Sequence, residues 1–165
     1  MTMNTANASV QMESSKSEFL SFQLGKEEFC LEILRVQEIR GYGDITTIAN
    51  TPDYIKGVVN LRGEIVPILD LRIRLNFQHV EYNEFTVVII LNLEGHNLGI
   101  VVDSVSDVIA LNADQIQQLP EMLSSINTKF MTGVVTIDTH TLILLDIESL
   151  LNRDELDFAT RQTLH

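Results

Sequence analysis

The chain has 165 residues with 45% hydrophobic and 21% charged side chains, so it is long enough for one globular domain that buries roughly 70% of its unfolded surface. Its net charge of -12 argues against binding to nucleic acid or to anionic lipid, because both repel an acidic surface. The single cysteine, Cys30, excludes an internal disulfide and every metal motif that needs several cysteines.

The N-terminal segment 1–17, "MTMNTANASVQMESSKS", lacks the basic start and the apolar stretch of a signal peptide. It is polar and contains no aromatic residue, which predicts a disordered tail. The longest uninterrupted apolar runs further along the chain have five residues, far fewer than a membrane span needs. We therefore expect a cytoplasmic protein without direct membrane binding.

Strands dominate the rest of the chain. Four pairs of alternating or apolar segments, each joined by a short polar connection, predict β-hairpins. They are "FLSFQLGKEEFCLEI" (19–33), "GVVNLRGEIVPILDL" (57–71), "FTVVIILNLEGHNLGIVVDSVSDVI" (85–109) and "GVVTIDTHTLILLDI" (133–147). Many short strands at regular spacing favour barrels or a sandwich, hence a mostly β fold.

Helical signals are short. In "TPDYIKG" Thr51 suits a helix cap, Pro52 the first helical position and Gly57 the end. A further turn or two is predicted after Asn112 and another in "DIESLLN" (146–152), whereas 153–165 is predicted to be a tail or a C-terminal helix.

An internal repeat divides the chain. Residues 57–76 align without a gap on 133–152 at an offset of 76, and residues 29–39 match 98–108 in pattern at an offset of 69. We therefore predict two similar β units, at about 19–82 and 83–152. The copies differ at one turn, where Arg62 of the first corresponds to Asp138 of the second. The first copy thus carries something that the second does not need.

Catalytic chemistry finds little support in the sequence. Nucleophile-elbow, Walker, dinucleotide-binding, zincin and EF-hand spacings do not occur, and the four histidines are scattered over predicted turns and the terminus. Cys30 lies in a predicted strand, where a packed thiol is the ordinary interpretation. Asp70 and Asp146 occupy equivalent places in the repeat and each ends a strand, which predicts a shared capping role. We expect no enzyme, no metal and no cofactor.

Protein recognition is what remains. In the strand "LRVQEI" (34–39) alternation places Val36 and Glu38 on one face and Gln37 and Ile39 on the other. The turn in "NLRGEI" (60–65) carries Arg62, whose charge complements that of Glu38. Such a pair contributes only about 0.2–1 kcal/mol when exposed, so fixing a turn at a binding surface is the better explanation for it.

The segments "FLSFQLGKEEFCLEILRVQEIRG", "IANTPDYIKGVVNLRGEIVPILDLR" and "VVIILNLEGHNLGIVVDSVSDVIAL" together resemble the CheW-like family of chemotaxis coupling proteins. The resemblance runs from about Glu18 to Asn152. It implies a single CheW-like domain over 18–152, built from two SH3-like five-stranded β-barrels packed together, and it implies no catalysis.

The resemblance also implies partners. Members of the family link the histidine kinase CheA, through its regulatory domain, to the cytoplasmic hairpin tips of chemoreceptors in arrays at the cell pole. We expect the free protein to be a monomer. Carried over to this sequence, the receptor-facing residues are Val36, Glu38, Ile39, Gly57, Val58, Asn60, Leu61 and Arg62, with Glu38 and Arg62 as a salt bridge. Kinase contacts are expected around Thr46 and Ile48, and around Met122.

Two alternatives stay open. A coupling domain of the CheV type would be expected to carry a phospho-receiver domain after the barrels, and 13 residues follow Asn152 here. A barrel that binds a small ligand, or an enzyme, would use Cys30 or the carboxylates. A closed, polar-lined cavity around Cys30 or Asp70 would favour this second alternative.

Overall fold

The computed structural model describes residues 16–119 and 130–150. Within these ranges it has ten strands and one short α-helix, and no helix there is long and apolar enough to cross a bilayer. The strands are β1 (Ser17–Leu24), β2 (Glu27–Glu32), β3 (Val36–Gly41), β4 (Ile55–Leu61), β5 (Glu64–Asp70), β6 (Val87–Leu93), β7 (His96–Val102), β8 (Ser104–Leu111), β9 (Met131–Ile137) and β10 (His140–Leu145), and the helix α1 is Leu71–Arg74.

The strands form two five-stranded sheets, which confirms the predicted fold class. Sheet I has the order β8-β1-β2-β10-β9, and sheet II has the order β3-β6-β7-β5-β4. All four predicted hairpins are present as antiparallel pairs, β1–β2, β4–β5, β6–β7 and β9–β10. Each sheet also contains one parallel pair, β2–β10 in sheet I and β5–β7 in sheet II.

The strand register reproduces the sequence repeat. In sheet II Ile68 of β5 pairs with Gly99 of β7, and in sheet I Leu144 of β10 pairs with Cys30 of β2. Ile68 and Leu144 are 76 residues apart and Cys30 and Gly99 are 69 apart, which are the two offsets of the alignment. Equivalent segments of the two copies therefore have equivalent places in the two sheets.

The sheets do not follow the predicted division of the chain into 19–82 and 83–152. Sheet I combines β1 and β2 of the first copy with β8, β9 and β10 of the second, and sheet II combines β3, β4 and β5 with β6 and β7. The cause is the third strand of each copy. After the 3₁₀ turn Ile33–Arg35, β3 of the first copy pairs with β6 of the second, and in the same way β8 of the second copy pairs with β1 of the first. Each sheet therefore combines the first hairpin of one copy with the last three strands of the other.

Three apolar clusters form the core of the part of the chain that the structure describes. The largest lies between the two sheets and is shared by both, with α1 contributing to it; it includes Phe22, Leu31, Leu71, Ile89 and Ile100. The other two belong to one sheet each. Val59, Val66, Ile90 and Val101 form the interior of sheet II, and Phe19, Cys30, Leu142 and Leu144 that of sheet I. The shared cluster therefore joins the two sheets through one common apolar core.

Of the predicted helices, one is absent and two are present as single 3₁₀ turns. Residues 51–57 contain no helix: the Thr51 hydroxyl donates to the carbonyl of Ile48, and the amide of Ile55 closes a turn on the carbonyl of Pro52 before β4 begins. The residues from Ile55 onward pair with β5 and therefore belong to sheet II. Single 3₁₀ turns do follow Asn112 and Asp146, at Ala113–Gln115 and Ile147–Ser149. The tail predictions fall mostly outside the described residues.

Candidate partner-binding site

The predicted ion pair between Glu38 and Arg62 is present. Arg62 Nη2 lies 3.3 Å from Glu38 Oε2, with the arginine side chain 70% and the glutamate side chain 31% exposed. Glu38 belongs to β3 and Arg62 to the turn after β4, and these two strands are the opposite edges of sheet II. The pair therefore joins the two edges of one curved sheet at the protein surface.

The turn that carries Arg62 has an unusual backbone for its sequence. It has two residues, Arg62 and Gly63, with φ values of +52° and +88°, and the Asn60 side chain accepts a hydrogen bond from the amide of Gly63 at 2.9 Å. Two left-handed residues are typical of a type I′ turn, for which Asn, Asp and Gly are favoured. Placing an arginine there costs about 1–2 kcal/mol, more than the 0.2–1 kcal/mol of an exposed pair. Fold stability thus does not explain Arg62.

The second copy lacks the ion pair. The equivalent turn carries Asp138, also left-handed at φ = +55°, and the equivalent of Glu38 in the repeat is Asp107. Two carboxylates repel each other, and aspartate tolerates this backbone well. The first copy therefore has an arginine, held in an ion pair, at a turn position that suits aspartate better.

The eight predicted receptor-facing residues differ in exposure. Ile39, Asn60 and Arg62 are exposed, and Val36 and Glu38 are half-buried on the other face of β3, as strand alternation predicted. The other three, Gly57, Val58 and Leu61, are buried. The side chains of Val58 and Leu61 do not reach the surface and Gly57 has none, so any part these residues play in binding is to shape the strand beneath the exposed residues.

Gly57 has a steric role that its sequence position alone did not reveal. Its φ is +145°, and a Cβ at this residue would lie 2.1 Å from the carbonyl oxygen of Thr46. The next residue, Val58, exchanges two backbone hydrogen bonds of 2.9 Å with Thr46. Glycine is needed here because the loop before β4 packs directly on the strand.

The predicted kinase-facing residues lie on that same loop. Thr46 is exposed, and Ile48 is half-buried against the shared apolar cluster. Met122 falls outside the described residues. Since Thr46 pairs with Val58, and Arg62 ends the same hairpin, the two candidate surfaces share β4.

Comparison with known proteins identifies the family. The model of the CheW-like domain matches residues 18–155. The chain belongs to the CheW-like family. It is 54% identical over 144 residues to "Chemotaxis protein CheW" of Klebsiella aerogenes, covering 87% of each chain. Its identity to "Chemotaxis protein CheW" of Rhizobium meliloti is 32% over 153 residues, covering 93% of this chain and 99% of that one.

A solved structure agrees with this assignment. The crystal structure of the scaffolding protein TtCheW from Thermoanaerobacter tengcongensis superposes with a TM-score of 0.77 at 29% identity. The match covers 85% of this chain and 90% of that one. The two-sheet architecture is therefore that of a known CheW-like scaffold.

A buried polar cluster around Arg72 escaped the sequence analysis. The side chain of Arg72 is 1% exposed; its Nε and Nη2 atoms donate to the two carboxylate oxygens of Asp70, each at 2.9 Å. Its Nη1 donates to Asp103 at 2.7 Å and to the carbonyl of Glu81 at 2.6 Å. The one sequence feature that could have indicated this cluster is the repeat, in which Arg72 of the first copy aligns with Glu148 of the second.

The charges of this cluster are stabilised by their neighbours. Burial by itself would raise the pKa of Asp70, but hydrogen bonds from Arg72 and from the Tyr82 hydroxyl outweigh burial and hold that pKa below its ordinary value. Burial likewise opposes the charge of Arg72, yet the bonds to Asp70 and Asp103 raise its pKa. Burial and the bond to Asp70 raise the pKa of Tyr82. The cluster is thus an ionised pair with a neutral tyrosine.

Capping differs between the two repeat copies. Asp70 caps α1 by accepting the amide of Arg72 at 3.0 Å, which confirms the prediction for the first copy. Asp146 makes no side-chain capping bond, so the prediction is wrong for the second. Asp70 is accordingly occupied by structural bonds and is a poor acid or base.

Cys30 has the environment of a core residue. It is fully buried, and burial, reinforced by the charge of Glu28, raises the pKa of its thiol to about 12. A thiol with such a pKa is a weak nucleophile at neutral pH. An open cavity of about 340 Å³ passes beside it, with a lining that is part apolar and part polar and that includes the 3.1 Å ion pair of Arg35 with Glu148. Within the described residues no cluster of histidine, cysteine or carboxylate side chains could hold a metal ion.

Proposed function

We propose that this protein is a non-catalytic adaptor of bacterial chemotaxis that couples the histidine kinase CheA to chemoreceptor cytoplasmic hairpin tips. Membership of the CheW-like family and the names of the relatives support the chemotaxis role. The observation that carries the receptor side is the Glu38–Arg62 pair, which appears in one repeat copy at the expense of a favourable turn.

The receptor side fits a helical partner. Ile39 is 43% exposed on one face of β3, and on the other face the half-buried Glu38 pairs with the exposed Arg62. A receptor hairpin presents long helical faces, and a helix that buries an apolar position against such a residue can place its polar neighbours on a charged rim. Rim charges favour correct register and reject wrong partners more than they add affinity.

The kinase side belongs to the loop that carries Thr46 and Ile48. The regulatory domain of CheA is itself CheW-like, so contact between two such folds through exposed loops and strand edges is the arrangement that we propose. Met122 is the proposed contact of the second unit. The proposed kinase loop pairs with β4 at Val58, whereas Arg62 lies in the turn at the end of that strand, so the two proposed surfaces are adjacent along β4.

The remaining parts of the proposal follow from the family. We propose that the adaptor needs no cofactor, is cytoplasmic, is a monomer when free and is recruited to polar receptor arrays through its two partners. The protonated thiol of Cys30 and the fully bonded carboxylate of Asp70 support the absence of catalysis. The runner-up within the family is the coupling domain of a CheV-type protein.

A binding experiment with purified components tests the proposal. The wild-type chain, Arg62→Ala and Asp138→Ala are assayed separately against the CheA regulatory domain and a receptor tip fragment. Asp138 occupies the equivalent left-handed turn of the other copy, so it is the matched control. We expect wild type and Asp138→Ala to bind both partners, and Arg62→Ala to lose only the receptor.

Two results would contradict the proposal. If wild type binds neither partner, the adaptor role is wrong and the ligand-binding alternative returns. If Arg62→Ala unfolds, the turn is structural and the receptor surface is wrongly placed.

A further inference from the structure

The Arg72 cluster reaches the protein surface through the side chains of Asp103 and Tyr82, and Tyr82 is its aromatic member. Its hydroxyl donates to Asp70, and its ring lies 4.8 Å from the guanidinium carbon of Arg72. The residue is nevertheless 42% exposed, although its hydroxyl is tied to a carboxylate that is not exposed at all. Tyr82 is therefore an aromatic surface residue in a fixed orientation.

The exposed part of Tyr82 supports a second tyrosine. Its ring stacks on that of Tyr42 with a centroid distance of 4.7 Å and an interplanar angle of 28°. Tyr42 follows β3 directly and is half-buried against the interior cluster of sheet II. The chain of contacts thus runs from Arg72 through Tyr82 to Tyr42.

Tyr42 begins the loop that carries the proposed kinase contacts. It lies between Gly41 and Gly43, and Asp44 has a left-handed backbone at φ = +53°. A segment with two glycines around one residue has a large conformational entropy to lose. Its side-chain anchors in the fold, Tyr42, Ile45 and Ile48, together with the backbone bonds of Tyr42 and Thr46, therefore decide how well ordered it is.

The aromatic anchor is not a requirement of the topology. In the repeat Tyr42 corresponds to Leu111, a buried residue, and Arg72 to Glu148. The second copy therefore builds the equivalent strand ends without an arginine cluster or a tyrosine stack. In the first copy the arginine cluster and the tyrosine stack lie at the start of the loop that carries Thr46 and Ile48.

We propose that Tyr82 is a positioning residue for kinase binding: held by Asp70 and Arg72, it fixes Tyr42 and thereby orders the loop of residues 42–48. This inference rests on the proposed function, since it assigns the loop to the kinase. Tyr82 acts through Tyr42 and need not touch the kinase itself.

The test uses two variants and one control in the full-length chain. Tyr82→Phe keeps the ring and removes the bond to Asp70, whereas Tyr82→Leu removes the stack as well. Phe85→Leu changes another exposed aromatic of the same connection, 64% exposed, and serves as the control. Affinities for the CheA regulatory domain and for a receptor tip fragment are measured beside thermal unfolding and amide hydrogen exchange.

We expect selective effects. Kinase affinity should fall about threefold in Tyr82→Phe and about tenfold in Tyr82→Leu, while receptor affinity stays within twofold of wild type and Phe85→Leu matches wild type throughout. Amide exchange of residues 42–48 should quicken in Tyr82→Leu, whereas that of β8 should not change.

The outcomes separate this inference from the proposed function. If wild type binds both partners and neither Tyr82 variant alters exchange in 42–48 or kinase affinity, the positioning role alone is wrong. If both affinities fall together with the melting temperature, Tyr82 is a general structural residue, which also overturns it. If Phe85→Leu weakens kinase binding as strongly as Tyr82→Leu, the aromatic surface binds the kinase directly and the positioning role is wrong. Failure of wild type to bind either partner overturns both proposals.

Discussion

Arg62 donates to Glu38 across 3.3 Å while its own backbone has φ = +52°. The side chain gains a weak exposed interaction, and the backbone adopts a conformation that favours glycine and asparagine. Because Arg62 is unfavourable for its own turn, the stability of the fold does not explain its presence there.

Replacing Arg62 by asparagine should therefore stabilise the protein while weakening receptor binding. Asparagine is suited to a left-handed turn position, so we expect a gain of about 0.5–1 kcal/mol in the free energy of unfolding. Urea denaturation measures it, and a receptor pull-down measures the loss of binding. Asp138→Asn is the control and should change both quantities little. A destabilised Arg62→Asn would show that the ion pair supports the fold.

Exchanging the two charges distinguishes orientation from direct contact. In the double variant Glu38→Arg with Arg62→Glu the pair is restored with reversed polarity across the same two sheet edges. If the pair acts by orienting the turn, receptor affinity should recover to within about tenfold of wild type from the larger losses of the single variants. A double variant no better than Arg62→Glu alone would mean that the guanidinium itself contacts the receptor.

The sequence predicted the local features well and the long-range ones poorly. The hairpins and the ion pair of Glu38 follow from residues close in sequence or from complementary charge, although the short helix predicted at 51–57 is absent. The exchange of hairpins between the sheets was missed, because strand alternation does not tell which neighbour β3 will choose. The Arg72 cluster was missed as well, since Asp103 is 31 residues away and only tertiary packing brings it to Arg72.

Gly57→Ala should cost more stability than the same change at its repeat counterpart. A Cβ at Gly57 would lie 2.1 Å from a carbonyl oxygen in a backbone conformation that alanine rarely adopts, whereas at Gly133 the closest backbone atom is 2.8 Å away. We expect a loss of roughly 3 kcal/mol or more at Gly57 and a smaller loss at Gly133. Chemical denaturation of both variants decides it, and equal losses would contradict the role of the Thr46 contact.

Cys30 should react with thiol reagents only when sheet I opens. Because it is the single cysteine, its alkylation rate reports on one site. Burial and a pKa of about 12 should make labelling of the native protein at neutral pH roughly a hundredfold slower than in denaturant, or slower still. Rapid labelling of the native chain would mean that the neighbouring cavity admits small molecules, which would revive the ligand-binding alternative.

Asp70 should contribute stability at neutral pH that disappears in acid. Its pKa in the fold is below the ordinary 3.8, so the contribution is fully present above about pH 4 and is lost as the pH falls through the lower, folded-state pKa. Asp70→Asn removes the bidentate partner of a buried arginine, and we expect a cost of about 3–5 kcal/mol at pH 7.

The difference in unfolding free energy between wild type and Asp70→Asn should narrow below about pH 3.8. There the unfolded chain binds a proton at Asp70 before the folded chain does, which favours unfolding of the wild type. Unfolding free energies from urea titrations at pH 7 and pH 3 measure this. Asp146→Asn, at the equivalent position and without a side-chain capping bond, should be nearly neutral at pH 7. An Asp70→Asn variant as stable as wild type at pH 7 would mean that Asp103 alone suffices to hold Arg72, and that the bidentate pair is not what stabilises the buried guanidinium.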